Sequence, residues 1–387
     1  MNLIIKLVAG ILIGTLIGLF APDLLVRLLL TFKGLFGQLL FFTIPLLILF
    51  FITSGIAGLP RDSGRLLGRT LGTAYLSTLL AGTLAFLLAA LIVPMLSAAG
   101  SVAPDGNGRV LEPLVELIIP PVMGIMTALT LAFIFGLGLT ATRSEQLKSV
   151  FEQGKDVIEK LLVVLIIPLL PVYIAGVFAE LAAAGTVFAT LRTFGVVLAL
   201  AIGLHWVWIM VLYTLAGLKA GVSPFALIKN ALPAYFTALG TMSSAATIPV
   251  TLQCAKKNRV SDDIASFAVP LCATTHLAGS TISIVACAVA VMVLHDGLVV
   301  PSLWSILPFI FMLGIVMLAA PGVPGGAVMS AVALLTSMLG FGETAIALMI
   351  ALYMAQDSFG TACNVTGDGA IAVMIDEAGK ARSAASG

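Results

Sequence analysis

Two aspartates near the end of the sequence stand where carboxylates are rare. They lie in Gln356-Asp357-Ser358-Phe359-Gly360-Thr361-Ala362-Cys363-Asn364-Val365-Thr366-Gly367-Asp368, inside the apolar stretch 341–375. A carboxylate in apolar surroundings is costly unless it meets a cation or hydrogen-bond donors, so buried acids of this kind point to function. On a helix Asp357, Thr361, Asn364 and Asp368 are 0, 4, 7 and 11 steps apart, which puts them within an arc of roughly 60°. One stripe of two carboxylates, an amide and a hydroxyl therefore faces one cavity. A hydrogen-bonded seam between helices is the plainer alternative.

Three other segments bring polar or backbone chemistry. Thr241-Met242-Ser243-Ser244-Ala245-Ala246-Thr247-Ile248-Pro249 sets small hydroxyl residues ahead of a helix, where free N–H groups and caps suit a carboxylate. In Pro321-Gly322-Val323-Pro324-Gly325-Gly326 the glycines let backbone approach a ligand. Between these, Ala273-Thr274-Thr275-His276-Leu277-Ala278-Gly279-Ser280 interrupts an apolar run, as expected of an unwound helix whose carbonyls bind a cation. His276 is either a neutral imidazole bonded to backbone or a proton carrier. His205, Trp206 and Trp208 read as packing or interfacial anchors. Cys254, Cys272, Cys287 and Cys363 stand singly, without metal-site or disulfide spacing, and read as buried thiols. No Ser/His pair has consistent helical spacing and Cys363 has no nearby base, so a hydrolase is disfavoured.

The elements that must hold these residues are membrane helices. Of 387 residues 60% are hydrophobic and only 10% charged, with mean hydropathy +1.17. Soluble domains carry about 25% charged residues. That balance excludes a cytosolic enzyme, a nucleic-acid binder and a disordered chain, and the net charge of +1 suggests no phosphate partner. A crossing takes roughly 20 apolar residues. The runs 3–21, 28–58, 66–98, 118–142, 158–184, 188–218, 264–294 and 341–375 make eight spans. The first is not expected to be a cleaved signal, because a second run follows at once.

Two more apolar stretches, 224–254 and 303–338, are broken at Gly240 to Thr247 and Ala319 to Gly326, and are expected to be re-entrant hairpins. Segments 224–294 and 303–375 repeat the order of broken hairpin, then span. With both hairpins re-entrant and the termini cytoplasmic, only Arg27, Lys33, Arg109 and Arg192 of the 19 basic residues fall outside. The other 15, including Arg61, Lys380 and Arg382, lie inside, as the positive-inside rule favours.

These segments, in this order, resemble the glutamate transporter family, the dicarboxylate/amino acid:cation symporters. The resemblance rests on the opening Leu-Val-Ala-Gly-Ile-Leu-Ile-Gly run, the Ser-Ser-x-x-Thr-x-Pro-Val-Thr hairpin, the Ala-Thr…Gly core and Asn364-Val365-Thr366-Gly367-Asp368, which matches without a change. It implies an all-α polytopic membrane protein with eight transmembrane helices and two re-entrant helical hairpins. It further implies a homotrimer in the plasma membrane, in lipid, and an elevator mechanism. Residues 1–63 would be scaffold helices, 64–117 a transport helix with an outer loop, 118–222 two scaffold helices and a sixth, transport helix, and 223–387 the transport core.

By the same resemblance Asp357 receives a substrate amino group, and Thr361 and Asn364 contact the amino acid's ammonium and carboxylate. Ser243, Ser244 and the backbone of Val323, Pro324, Gly325 and Gly326 close on it, while Ser280 borders it. Asp368, with carbonyls near Thr275 and Asn364, matches a sodium site. Gly360 stands where acidic-substrate members carry arginine. A guanidinium is the natural partner of a side-chain carboxylate, so its loss argues for a neutral substrate, with the freed space favouring a bulkier side chain. His276 and Ala278 replace an amide and a carboxylate that help hold another sodium, near Ser77 and Thr78. That second site is expected to be weakened or gone, with His276 a candidate proton carrier in its place. The family's third-span tyrosine is displaced to Tyr75. The expected protein is a sodium-coupled symporter of a neutral amino acid, with an acidic amino acid or dicarboxylate carrier, a proton-coupled carrier and, remotely, a channel as rivals.

Overall fold

Long runs of leucine, alanine, valine and isoleucine favour helix wherever Pro and Gly do not punctuate them. The computed structural model describes residues 3–58, 64–98, 108–295, 297–318, 320 and 322–386, and among these no strand occurs. The helices are α1 (Leu3–Phe20), α2 (Asp23–Ala57), α3 (Gly64–Ala98), α4 (Ile125–Thr142), α5 (Glu145–Ala183), α6 (Val187–Ala220), α7 (Pro224–Thr241), α8 (Ser244–Lys257), α9 (Asp262–Thr275), α10 (Ala278–Leu294), α11 (Leu303–Met317), α12 (Gly326–Leu339) and α13 (Glu343–Ser386). Six stretches are long and apolar enough to cross a membrane: α2, α3, α5, α6, the α9–α10 pair and α13. Shorter apolar helices α1, α4, α11 and α12 accompany them. Arg61, Ala319, Pro321 and the side chains of Lys380 and Arg382 lie outside the described residues.

Of the boundaries that differ from the hydropathy reading, two have a clear cause in the sequence. Residues 118–124 are non-helical, and α4 starts only at Ile125, because Pro120 and Pro121 withhold N–H donors and push their predecessors out of helix. At the other extreme α5 begins at Glu145, well before residue 158. Ser144 caps it, its hydroxyl accepting from Leu147 N–H at 3.4 Å. The amphipathic first half, with Lys148, Lys155 and Glu159, is too polar to read as a span. It runs on through one π-turn, Leu162–Ile166, into the apolar half. A matching π-turn, Ile48–Ile52, lies within α2.

The expected internal repeat appears as α7–α8 followed by α9–α10, and α11–α12 followed by α13. The halves differ in one respect. The first span is broken at His276–Leu277, both non-helical, whereas α13 is continuous through its polar residues. α10 is buried from Ala278 to Met292 and α13 almost throughout from Ala345 to Asp376. Outward faces carry leucines such as Leu12, Leu16, Leu80 and Leu91, each more than half exposed, a surface suited to lipid.

α1 is seated on α5 without side chains between them. A Cβ added at Gly10, Gly14 or Gly18 would collide with the carbonyl oxygen of Pro171, Ala175 or Ala179 respectively. Close backbone approach through small residues spaced four apart is a membrane-helix packing mode. Gly14→Leu is therefore expected to cost about 3 kcal/mol, the upper end of overpacking, because a carbonyl cannot turn aside. Leu12→Ala on the lipid-facing side should stay within about 0.5 kcal/mol. Melting curves in detergent check both, and an unchanged melt for Gly14→Leu would rule out this seam.

Past the seam, Lys33 pairs with Glu180 at 2.6 Å and Arg109 with Asp23 at 2.7 Å. Arg109 also donates to the Gly18 carbonyl at 2.6 Å. Lys33 thus joins α2 to α5, and Arg109 ties the non-helical 108–124 segment to α1 and α2.

Candidate substrate and cation site

Three breaks in helix, α7–α8, α9–α10 and α11–α12, converge on one face of α13. The α7–α8 break is two residues long: Met242, in left-handed conformation at φ 53°, and Ser243, extended. The Ser243 hydroxyl accepts from Ala246 N–H at 3.3 Å, capping α8, and donates to the Gly322 carbonyl at 3.1 Å. The tips of the two broken hairpins therefore touch. In the second tip Gly325 takes φ +77°, a conformation glycine adopts at little cost. Its N–H points at Asp357 and donates to Oδ2 at 2.7 Å.

A cavity of about 20 Å³ remains between the tips, the α9–α10 break and α13. Met242, Ser244, Leu277, Ser280, Val323, Asp357, Thr361 and Asn364 are on its wall, with Gly322 and Ala327. That is room for about one water. Asp357 is the one acid on this wall, and no basic residue joins it. Tyr353, one turn before Asp357 on α13, is buried with its hydroxyl beside Asp357 and Ser280, where it finds no hydrogen bond of good geometry. Helical spacing alone, an aromatic hydroxyl four residues ahead of an acid, could have flagged it.

The polar stripe divides between two tasks. Asp357, Thr361 and Asn364 reach the cavity wall. The amide of Asn364 is turned to the start of α10: Oδ1 accepts from Gly279 N–H at 2.7 Å and Ser280 N–H at 3.2 Å, and Nδ2 donates to Ser280 Oγ at 2.9 Å. α10 has no cap of its own, and Asn364 supplies one from another helix. Asp368 lies a turn further on, away from the cavity, against His276.

Gly360 does not open space for substrate. A Cβ there would meet Ser283 Oγ at 3.3 Å and the Gly279 carbonyl at 3.4 Å, and the residue is not on the cavity wall. The room expected for a bulkier side chain is taken up by α10. The same niche holds His205, whose Nε2 lies 3.0 Å from the Gly279 carbonyl and 3.2 Å from Ser283 Oγ. His205 is fully buried, so it is a polar strut inside the core and not an interfacial anchor. Trp208 likewise donates its indole N–H to Ser77 Oγ at 3.1 Å. Trp206, partly exposed and packed against Tyr235 with the rings tilted by 38°, keeps the packing role. The signal for His205 and Trp208 was their position on the apolar, buried face of α6.

Among the proposed cation ligands, Ser77, His276 and Asp368 come together, but as a hydrogen-bond chain. His276 Nδ1 is 2.9 Å from Asp368 Oδ1, and Nε2 is 2.9 Å from Ser77 Oγ. Both ring nitrogens are thus engaged. Thr78 and Thr275 turn their hydroxyls to the carbonyls of Ala74 and Leu271 in their own helices. Tyr75 donates to the Phe311 carbonyl at 3.1 Å. The order serine, histidine, aspartate is that of a nucleophilic triad, which spacing along the chain did not foresee. Ser77 is buried, however, and its oxygen takes the Trp208 N–H.

Asp368 Oδ2 is buried without a partner. An unmatched, buried carboxylate oxygen is the kind of hard donor that a hard cation takes. No group of three or more His, Cys, Asp and Glu suited to a transition metal occurs among the described residues.

Residues 3–378 match the model of the sodium:dicarboxylate symporter family. The chain is 31% identical over 299 residues to the serine/threonine transporter SstT of Streptococcus suis, covering 73% of this chain and 81% of that protein. It is 28% identical over 396 residues to SstT of Enterococcus faecalis, covering 95% and 90%, and 28% identical over 306 residues to SstT of Bifidobacterium adolescentis, covering 75% and 69%. With a family match over nearly its whole length, the chain belongs to the sodium:dicarboxylate symporter family and is a multi-pass membrane transporter, not an enzyme.

Proposed function

We propose that the chain carries serine, threonine or another small neutral amino acid into the cell together with sodium. The observation that carries this reading is the cavity wall at the hairpin tips, which has one carboxylate, Asp357, and no basic residue. Such a wall suits an ammonium and offers nothing to a second carboxylate on the substrate. An arginine at position 360 would meet the α10 backbone and Ser283. The names of the relatives, serine/threonine transporters, agree.

In this mechanism the substrate ammonium takes the place of the Gly325 N–H on Asp357. Its carboxylate lies at the N-termini of α8 and α12, where Ser243, Ser244 and the backbone from Val323 through Pro324 to Gly326 offer donors and a favourable dipole. Thr361 and Ser280 border the side chain. Binding requires the α11–α12 tip to lift from Asp357 and close again. Sodium is co-transported cargo held at Asp368 with backbone carbonyls near Thr275 and Asn364, and it neutralises that acid. The neighbouring second sodium site is absent on this reading, since His276 and Ser77 bond to each other.

Eight crossings, two re-entrant hairpins, cytoplasmic termini, a homotrimer and an elevator movement complete the proposal. Support for two bodies comes from packing. The α1–α5 glycine seam joins scaffold helices backbone to backbone, while α3 and α6 reach the α9–α13 core through Ser77, His205 and Trp208. Residues 1–63 and the fourth and fifth crossings form the scaffold. Residues 64–117, the sixth crossing and 223–387 travel.

Uptake of radiolabelled serine into proteoliposomes tests this, with sodium and proton gradients imposed separately. Accumulation under the sodium gradient alone, competed by threonine and alanine but not aspartate, is expected. Strong aspartate uptake, or uptake driven by protons without sodium, overturns the reading.

A further inference from the structure

The hydrogen-bond chain around Asp368 has a direction. An indole N–H only donates, so Ser77 Oγ accepts from Trp208 at 3.1 Å; a carboxylate only accepts, so a neutral His276 turns its ring proton to Asp368 and accepts the Ser77 proton at Nε2. That ring proton sits on Nδ1 and is donated to Asp368 Oδ1 at 2.9 Å; this tautomer is assigned from the network. Four elements meet in the chain: α3 through Ser77, α6 through Trp208, the α9–α10 break through His276, and α13 through Asp368.

The ring is also held by shape. A Cβ at residue 367 would come within 2.6 Å of His276 Cε1, so Gly367 leaves the imidazole its seat on α13. From behind, the backbone N–H of His276 is bonded to the Cys272 carbonyl at 2.8 Å. Asp368 is left with two unlike oxygens: Oδ1 is fixed by an imidazole, and Oδ2 is buried and unmatched.

We propose that His276 is a positioning residue for the cation, fixing Asp368 by Oδ1 so that Oδ2 is the oxygen presented to sodium, with Ser77 and Trp208 locking the ring. This rests on the reading of Asp368 as the sodium carboxylate. Partners that orient a ligand through its far side typically change metal affinity by about 10–100-fold when removed. Trp208, at the end of the chain, reports the state of the site.

The test uses the full-length protein in detergent, without substrate, with Trp206 and Trp304 replaced by Phe so that Trp208 is the single tryptophan. Sodium chloride is titrated against choline chloride at constant ionic strength while Trp208 emission and the melting temperature are followed. A saturable, sodium-specific change is expected. His276→Leu and His276→Gln should raise the sodium midpoint about tenfold or more. His276→Asn, whose amide N–H can stand where Nδ1–H stood, should stay within about threefold, and Ser77→Ala should fall between. A purely structural histidine would lower the melting temperature in every variant and leave the sodium midpoint unmoved.

Asp368→Asn separates the two levels of the argument. A sodium response that persists in Asp368→Asn, or none in the parent, overturns the cation reading itself. A response lost in Asp368→Asn but unshifted in His276→Leu and His276→Gln overturns the positioning role alone. If His276→Leu does not fold, the contrast between Asn and Gln decides.

Discussion

Asp357→Asn should abolish transport while leaving the fold intact. The carboxylate is buried, accepts the Gly325 N–H at 2.7 Å and is the one acid on the cavity wall. An amide of the same shape keeps an acceptor for Gly325, so the hairpin tip still closes. On the proposed function, what it removes is the negative charge opposite the substrate ammonium. Breaking a buried ion pair costs about 3–5 kcal/mol, or about two to nearly four powers of ten in affinity. Without substrate the variant should melt at the parent temperature or above it, since a buried charge has been deleted. Serine binding and uptake, measured beside a melting curve, check both halves. Serine uptake at the parent level would remove Asp357 from the substrate site.

The second large effect is expected at a residue with no side chain. Gly279→Val places a Cβ against the Gly360 carbonyl oxygen, 2.6 Å from Cys363 Cβ and 3.1 Å from Asn364 Oδ1. α10 would have to leave α13, and the two N–H bonds from Gly279 and Ser280 to Asn364 would go with it. Overpacking of about 1–3 kcal/mol and two hydrogen bonds of about 1 kcal/mol each put the loss at roughly 3–5 kcal/mol. Denaturant unfolding in detergent should register it, and serine binding should fall too because Ser280 and Asn364 shift together. Near-parental stability would mean that α10 and α13 do not meet as described.

Much of the site could be read from residue order, for a physical reason. Asp357, Thr361 and Asn364 belong to one helix, and 3.6-residue periodicity fixes which residues share a face. The hairpin tips announce themselves because Gly, Pro and Ser break helices in recognisable ways. Contacts between distant segments leave no such trace. Trp208 and Ser77 are 131 residues apart, and His276 and Asp368 are 92 apart. Periodicity could set Asp368 on the stripe, but not reveal that the imidazole from another helix would claim it. Gly360 shows the same limit: its identity suggested spare room, yet the neighbour that fills the room, α10, is known only from the fold. The length of α5 was hidden because its amphipathic first half does not look like the apolar half it continues into.

The four cysteines have a practical consequence. Cys254, Cys272, Cys287 and Cys363 are all buried, each at most 4% exposed. Water-soluble maleimides and spin labels therefore meet no reactive native sulfur at the surface of the folded protein. One cysteine introduced on the α11–α12 tip and another on α2 would report the distance between the proposed scaffold and transport bodies in the otherwise natural chain. The proposed movement of the core can be tested by spectroscopy without first rebuilding that core.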